Sequence, residues 1–144
     1  MQITRQADYA VRAVLFLARR DPGSRISTAK IALDQKIPVT FLAKIISQLS
    51  AAGVLRAARG ARGGVSLAKT PNEISLLDIV EAIDGPVKIN ECLNDPELCV
   101  LADDCAVRPV WCNIQADLVA KLAATKFGDL AGNGHKTFAA AVPA

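Results

Sequence analysis

The sequence predicts a mostly α-helical fold with one small β-hairpin and a long C-terminal helix. The chain has 144 residues, which is the length of one ordinary domain. Hydrophobic residues make up 51% of it and aromatic residues only 4%, and this composition, rich in alanine and leucine, is typical of helical proteins. Apolar residues recur at helical spacing except around residues 54–67, where they flank a glycine-rich stretch.

Three helices are predicted in the N-terminal third of the chain. Thr4 can cap the first helix, whose apolar residues recur every three or four positions as far as about Arg20. Ser27 can cap a short second helix over residues 28–35, and Pro38 suits the start of a third helix. The tight turn between the second and third helices predicts a helix-turn-helix.

A β-hairpin is predicted directly after the third helix. Residues 54–56 and 65–67 are its strands, and residues 57–64 form a glycine-rich tip. A hairpin in this position is the wing of a winged helix-turn-helix. The glycines let the backbone come close to a partner, and Arg59 and Arg62 are well placed for phosphates or a minor groove. The alternative is a plain flexible hairpin.

The net charge of +3 hides a strong asymmetry along the chain. Residues 1–70 carry 12 Lys and Arg against 3 Asp and Glu, whereas residues 71–144 carry 5 against 11. A basic half favours a polyanionic partner, although charge alone does not separate DNA, RNA and a membrane surface. The alternative is a solvated basic face.

The C-terminal half predicts two further helices around an acidic, loop-like segment. Ser75 and Asp78 resemble a capping box that begins a short helix over residues 76–84. A long helix begins at about Ala106, with Pro109 tolerated in its first turn. Its apolar stripe is larger than a small domain needs for its own core, so we expect a helix from a second subunit to cover it. The stripe consists of Trp111, Ile114, Leu118 and Leu122, with Val107 and Val119 beside it.

The chain therefore divides into four predicted segments. A winged helix-turn-helix unit occupies residues 1–85, and a cysteine-bearing loop occupies residues 86–105. A dimerisation helix and a short terminal helix occupy residues 106–131. The tail over residues 132–144 shows no periodic pattern, so we expect it to be mobile, and it contains the only histidine, His135.

Four cysteines lie within one short stretch, at positions 92, 99, 105 and 112. They form no CxxC pair, which disfavours a zinc finger and a thioredoxin-type redox pair. Three thiolates from one flexible loop suit an iron–sulfur cluster, either 2Fe-2S or 4Fe-4S. Cys112 lies about 10 Å further along a helix than Cys105 at a rise of 1.5 Å per residue, so it is better explained as a structural thiol. Zinc binding or thiol sensing by the same cysteines is the alternative.

Other classes of protein find little support in the sequence. The longest apolar run near the start, residues 13–18, is too short to cross a bilayer and has no cleavage site after it, so we expect a cytoplasmic protein. There is no Ser/His/Asp set, no Walker loop and no HExxH motif, so we expect no enzymatic activity. A small electron carrier would leave the helix-turn-helix and the basic wing without a purpose.

Several stretches, taken together, resemble one known family. They are residues 1–12 (MQITRQADYAVR), Ile37-Pro38 through Phe41-Leu42, Leu49 through Gly53-Val54-Leu55, residues 59–64 (RGARGG), Leu76 through Asp84, and the spaced cysteines Cys92, Cys99 and Cys105. In order and spacing they are similar to the Rrf-type winged-helix regulators, the bacterial group that includes IscR, NsrR and RirA. The resemblance covers roughly residues 1–130. It implies a homodimeric transcription regulator that binds palindromic double-stranded DNA, with no membrane partner.

The same resemblance implies a ligand set for the cofactor. Cys92, Cys99 and Cys105 match the three cluster cysteines of the family. IscR-like members use a histidine three residues after the third cysteine, and Arg108 stands there in this chain. NsrR-like members can use an aspartate in the first helix of the partner subunit, which Asp8 matches. The fourth ligand is thus Asp8, Cys112 or a small external thiol, and the alternative for Asp8 is stabilisation by the helix dipole.

These observations lead to one hypothesis with a rival. In the hypothesis, an iron–sulfur cluster that senses iron, redox state or nitric oxide controls operator binding. The sequence does not distinguish activation from repression of transcription. The rival is a cluster-free regulator of the same family that responds through thiol chemistry, zinc or a protein partner. In both versions phosphates and bases are contacted by residues of the helix-turn-helix and the wing, namely Ser27, Thr28, Thr40, Lys44, Arg59, Gly60 and Arg62.

Overall fold

The computed structural model describes residues 1–132 and confirms the predicted fold class. The tail from residue 133, with His135, lies outside the described residues. Within the described residues, six α-helices and one hairpin follow in chain order: α1 Arg5–Ala18, α2 Thr28–Gln35, α3 Val39–Ala51, β1 Leu55–Ala58, β2 Gly64–Leu67, α4 Leu76–Asp84, α5 Arg108–Ala124 and α6 Phe127–Gly132. Short 3₁₀ turns occur at Pro71–Glu73, Glu91–Leu93, Pro96–Leu98 and Ala102–Asp104.

Side-chain caps fix the starts of three helices where the sequence predicts them. The hydroxyl oxygens of Thr4 and Ser27 accept the N–H groups of Ala7 and Lys30 at 3.1 and 3.2 Å. Ser75 and Asp78 form the predicted capping box, and Gly85 follows α4 at φ +82°. Each cap satisfies N–H groups that the first turn of a helix leaves without a partner. α1 ends at Ala18, slightly before the predicted end.

The hydrophobic core joins buried side chains of α1 and α3 with those of the hairpin and α4. α1 packs against α3, α4 and α6, and the buried stripe of α3 faces α1 and α4. The two antiparallel strands pair from Leu55 with Leu67 to Ala58 with Gly64, so the tip is shorter than predicted. The largest fully buried side chains are Phe127, Ile31, Leu42, Ile45, Leu49, Ile74, Ile79, Val14 and Val65.

The chain returns to the N-terminal unit after α5. Phe127 of α6 is fully buried in the same apolar cluster as α1 and α3. Its N–H donates to the carbonyl of Ile74 at 2.9 Å, and the N–H of Leu76 donates to the carbonyl of Thr125 at 3.0 Å. These bonds join the start of α6 to the start of α4, so the long helix α5 is tethered to the core at its C-terminal end. No helix within residues 1–132 has the length and the apolar content needed to span a bilayer.

Removing the side chain of Phe127 tests this tether. Phe127→Ala is expected to lower the free energy of unfolding by about 3–5 kcal/mol, because it deletes a fully buried aromatic ring and leaves a cavity. Urea denaturation at fixed protein concentration measures the change. Leu33→Ala removes a side chain that is 78% exposed and is expected to change stability by less than about 0.5 kcal/mol. Equal stability of the two variants would show that α6 is not part of the core.

Candidate nucleic-acid interface and cysteine loop

The turn between α2 and α3 is tight because one residue adopts the left-handed conformation. Lys36 has φ +52°, and the N–H of the buried Ile37 donates to the carbonyl of Ala32 at 2.9 Å. The turn sends α3 away from α2 with its apolar stripe inward. Thr40 and Lys44, one turn apart, therefore lie exposed on the opposite side of α3.

The start of α2 is fixed against the hairpin. Ile26 and Val65 exchange two backbone hydrogen bonds of 3.0 and 2.8 Å, and Ser27 comes directly after this bridge. The Ser27 hydroxyl accepts the N–H of Lys30, which leaves its own proton free to donate to a ligand. Thr28 is half-buried in the first turn. Position and chemistry both suit an anion at the N-terminus of α2.

The wing presents its arginines on a constrained tip. Arg59 and Arg62 are exposed, and Gly60 adopts φ +98° between them. A Cβ atom at Gly63 would lie 2.3 Å from the carbonyl oxygen of Ala58, so only glycine fits there. The guanidinium of Arg25 donates to the carbonyl of Arg62 at 3.3 Å and so ties the tip to the segment before α2. Sequence reasoning did not identify Arg25, since this contact joins positions far apart in the chain.

A polar and aromatic network on α1 reaches the helix-turn-helix. Asp8 pairs with Arg12 at 3.1 Å, and Arg12 also donates to the carbonyl of Gln35 at 3.1 Å, at the end of α2. The guanidinium carbon of Arg12 lies 4.7 Å from the centre of the Tyr9 ring. The Tyr9 ring in turn packs edge-on against Phe41 of α3, with 6.2 Å between the ring centres. The candidate ligand Asp8 is thus connected to the turn before α3. The i,i+4 spacing of Asp8 and Arg12 predicts their ion pair, but it does not predict the hydrogen bond from Arg12 to Gln35.

The cysteine loop, residues 86–105, places its thiols on successive 3₁₀ turns. Cys92 lies within the first turn, and Cys99 and Cys105 directly follow the second and third. All three are half-buried free thiols, whereas Cys112 on α5 is exposed. Soft thiolates are the right donors for an iron–sulfur cluster, so the residue types fit the predicted group.

The predicted ligands are not gathered around one point in the single chain. Within residues 1–132, no three side chains of His, Cys, Asp or Glu lie close enough together to hold a metal ion. The backbone hydrogen bonds near the thiols are local, as from Ala102 to Cys99 at 3.1 Å and from Arg108 to Cys105 at 3.3 Å. The expectation of a shared centre is therefore not met in this conformation, because local turns keep the thiols spaced along the loop.

In the second half of the loop and along the start of α5, the structure leaves apolar side chains in solvent. The C-terminal part of the α5 stripe is half-buried, and α5 packs against α4, but the N-terminal part of the stripe is open. A run of exposed apolar residues of this size marks an interaction surface. Its members are Leu98, Val100, Leu101, Val107, Val110, Trp111 and Ile114.

The helix-turn-helix and the wing, with the exposed Lys44, Arg59 and Arg62, together define the winged-helix fold of DNA-binding proteins. Residues 3–133 match the family model of Rrf2, described as an iron-dependent transcriptional regulator. The chain belongs to the Rrf2 family of transcriptional regulators, and this class of protein is not enzymatic.

Relatives and solved structures support the same assignment. The chain is 33% identical over 132 residues to an HTH-type transcriptional regulator of Mycobacterium tuberculosis, covering 92% of this chain and 82% of the relative. It is 31% identical over 111 residues to the HTH-type transcriptional regulator NsrR of Bacillus subtilis, covering 76% of each. The structure of CymR, the global cysteine regulator of B. subtilis, matches with a TM-score of 0.76 and 27% identity, covering 91% of this chain and 96% of that one.

Two substitutions at Ser27 separate its capping role from phosphate binding. Ser27→Ala is expected to lower the free energy of unfolding by about 1 kcal/mol through loss of the cap. Ser27→Asp keeps a capping oxygen but places a carboxylate at the expected phosphate position, so it should retain stability and lose DNA affinity. Urea denaturation and fluorescence anisotropy with duplex DNA measure the two effects. Wild-type DNA affinity of Ser27→Asp would exclude a phosphate contact here.

Proposed function

We propose that this protein is a homodimeric transcription regulator whose operator binding is controlled by an iron–sulfur cluster on its cysteine loop. One observation carries the proposal. Three half-buried free thiols lie on a single loop between the DNA-binding unit and the long helix, in a chain whose family is described as iron-dependent.

DNA is held by the reading head, which we define as residues 25–67. Thr40 and Lys44 of α3 face base edges in the major groove. Ser27 and Thr28 bind a phosphate at the start of α2, and the wing enters a neighbouring groove. The wing residues are Arg59, Gly60 and Arg62, held by Arg25.

Two copies pair through the exposed apolar surface of residues 98–114. The open N-terminal part of the α5 stripe supplies the contact, with Trp111 and Ile114 at its centre. Pairing places two reading heads at a fixed distance, so the preferred operator is a palindrome whose half-sites lie on successive major grooves.

Cys92, Cys99 and Cys105 would hold the cluster, with Asp8 as the candidate fourth ligand from the partner subunit. When bound, the cluster would supply an iron centre that reacts with oxidants and nitric oxide. A ligand role would take the Asp8 carboxylate away from Arg12, and Arg12 also holds the carbonyl at the end of α2. Gathering the thiols requires the local turns of the loop to rearrange. The control of DNA binding thus acts through this loop and through α1.

A cluster-free regulator that senses through its thiols is the second candidate. The described cysteines are free, and within residues 1–132 they form no ligand group. A similar structure is that of a global cysteine regulator, and a Staphylococcus aureus CymR of 25% identity has been solved in an oxidized form. Zinc or a protein partner could supply the signal in this version.

Replacing both wing arginines tests the DNA interface. Arg59→Ala with Arg62→Ala is expected to weaken operator binding and to flatten its salt dependence, because each lost phosphate contact reduces the slope of log K against log salt by about 0.9. Binding titrations at several salt concentrations measure both effects. Lys88→Ala removes an exposed cation outside the reading head and should leave the slope unchanged. An unchanged slope in the arginine variant would remove the wing from the interface.

Metal analysis decides between the two candidates. Protein purified without oxygen is expected to be brown and to contain iron and acid-labile sulfide, and Cys92→Ala, Cys99→Ala or Cys105→Ala should each abolish the colour. Cys112→Ala is the matched control and should retain it. Colourless wild-type protein would refute the cluster and leave thiol chemistry, zinc or a partner as the signal.

A further inference from the structure

The first residues of α3 expose apolar side chains that the core does not bury. Val39 is 59% and Phe41 48% exposed, and Thr40 between them is also exposed. We call Val39, Thr40 and Phe41 the leading edge of α3. Burying these side chains would be favourable, so their exposure indicates a partner surface at this place.

One side of the leading edge is held rigidly. The Phe41 ring packs edge-on against the Tyr9 ring, with 6.2 Å between the ring centres and 74° between the ring planes. The guanidinium of Arg12 lies over the Tyr9 ring, 4.7 Å from its centre. Arg12 is fixed in turn by Asp8 and by the carbonyl of Gln35. Phe41 is therefore presented to solvent in a defined position, which lowers the entropy lost on binding.

The charge around the leading edge favours DNA as the occupant. α3 contains one charged residue, Lys44, and no acid. In α2 the only acid, Asp34, is paired with Lys30 at 3.1 Å. An apolar edge on a cationic helix without acids fits a groove lined by phosphates better than it fits an acidic or neutral protein surface.

We propose that the leading edge contacts the C5-methyl groups of thymine in the major groove and so determines specificity for A·T pairs at the start of each half-site. The thymine methyl is the apolar group on the floor of that groove, and methyl groups of threonine and phenylalanine rings are suited to contact it. The N-terminal residues of a recognition helix are those that reach base edges. This inference rests on the proposed DNA binding by the reading head.

Replacing thymine by uracil in the DNA tests the proposed methyl contact with the full-length chain. Sites are first selected by the protein from a random duplex pool, and the selected half-sites should contain thymine opposite the start of α3. Uracil keeps the pairing and lacks only the methyl group. Each exchange at a contacted position is expected to weaken binding about fourfold, which corresponds to about 0.8 kcal/mol for one buried carbon.

Variants of the protein assign the effect to the leading edge. Val39→Ala and Thr40→Ser remove methyl groups and keep the helix, so they should weaken binding to thymine duplexes and have much less effect on uracil duplexes. Leu33→Ala removes an exposed apolar side chain of α2 and should affect both duplexes equally.

The outcomes separate this inference from the proposed function. Selected half-sites without thymine, or equal affinity for thymine and uracil duplexes, would overturn the thymine contact and leave DNA binding intact. The thymine contact would also be overturned if Val39→Ala and Thr40→Ser weakened binding to thymine and uracil duplexes by the same factor. Failure to select any duplex would overturn DNA binding itself, and the thymine contact with it.

Discussion

The burial of one stripe of α3 is the constraint on which the rest of the structure depends. Leu42, Ile45 and Leu49 are fully buried against α1 and α4. Because side chains three and four positions apart share a helix face, this burial turns Thr40 and Lys44 outward. The core and the surface that we propose to contact DNA are thus two sides of one helix, so a change that rotates α3 about its axis alters both.

The start of the cysteine loop is attached to α1 and to α5, and these bonds are the route by which we propose that the loop controls DNA binding. Just before the loop, Asp84 accepts hydrogen bonds from the N–H and the hydroxyl of Thr4, at 3.2 and 2.6 Å, and Thr4 caps α1. Near its start, the N–H of Ile89 donates to Gln115 of α5 at 3.1 Å. A rearrangement of the loop therefore pulls on α1 and α5, and α1 carries the network that ends at α3.

Local signals made much of this fold predictable. The capping residues Thr4, Ser27 and Ser75 begin helices as expected, because a cap depends on residues within one turn. Contacts between distant segments were not predictable from the sequence. Arg25 at the wing tip and Phe127 in the core acquire their roles only when the chain folds back on itself.

The arrangement of the thiols was the least predictable feature of the site. Spacing and resemblance pointed to Cys92, Cys99 and Cys105 as a set, but their positions follow local turns in the single chain. A ligand set that includes a group from a second subunit depends on the dimer as well as on the sequence of one loop. The exposed apolar run, which includes the almost fully exposed Val100 of the loop, is the surface through which we propose that two copies pair.

The most direct test of control by the loop compares the DNA affinity of one preparation in two states. Binding to a selected operator is measured on protein kept free of oxygen and again after its iron has been removed by a chelator. The account predicts at least about a tenfold difference in affinity, equivalent to about 1.4 kcal/mol of coupling between the loop and the reading head. Equal affinity in the two states, with iron demonstrably bound in the first, would contradict it.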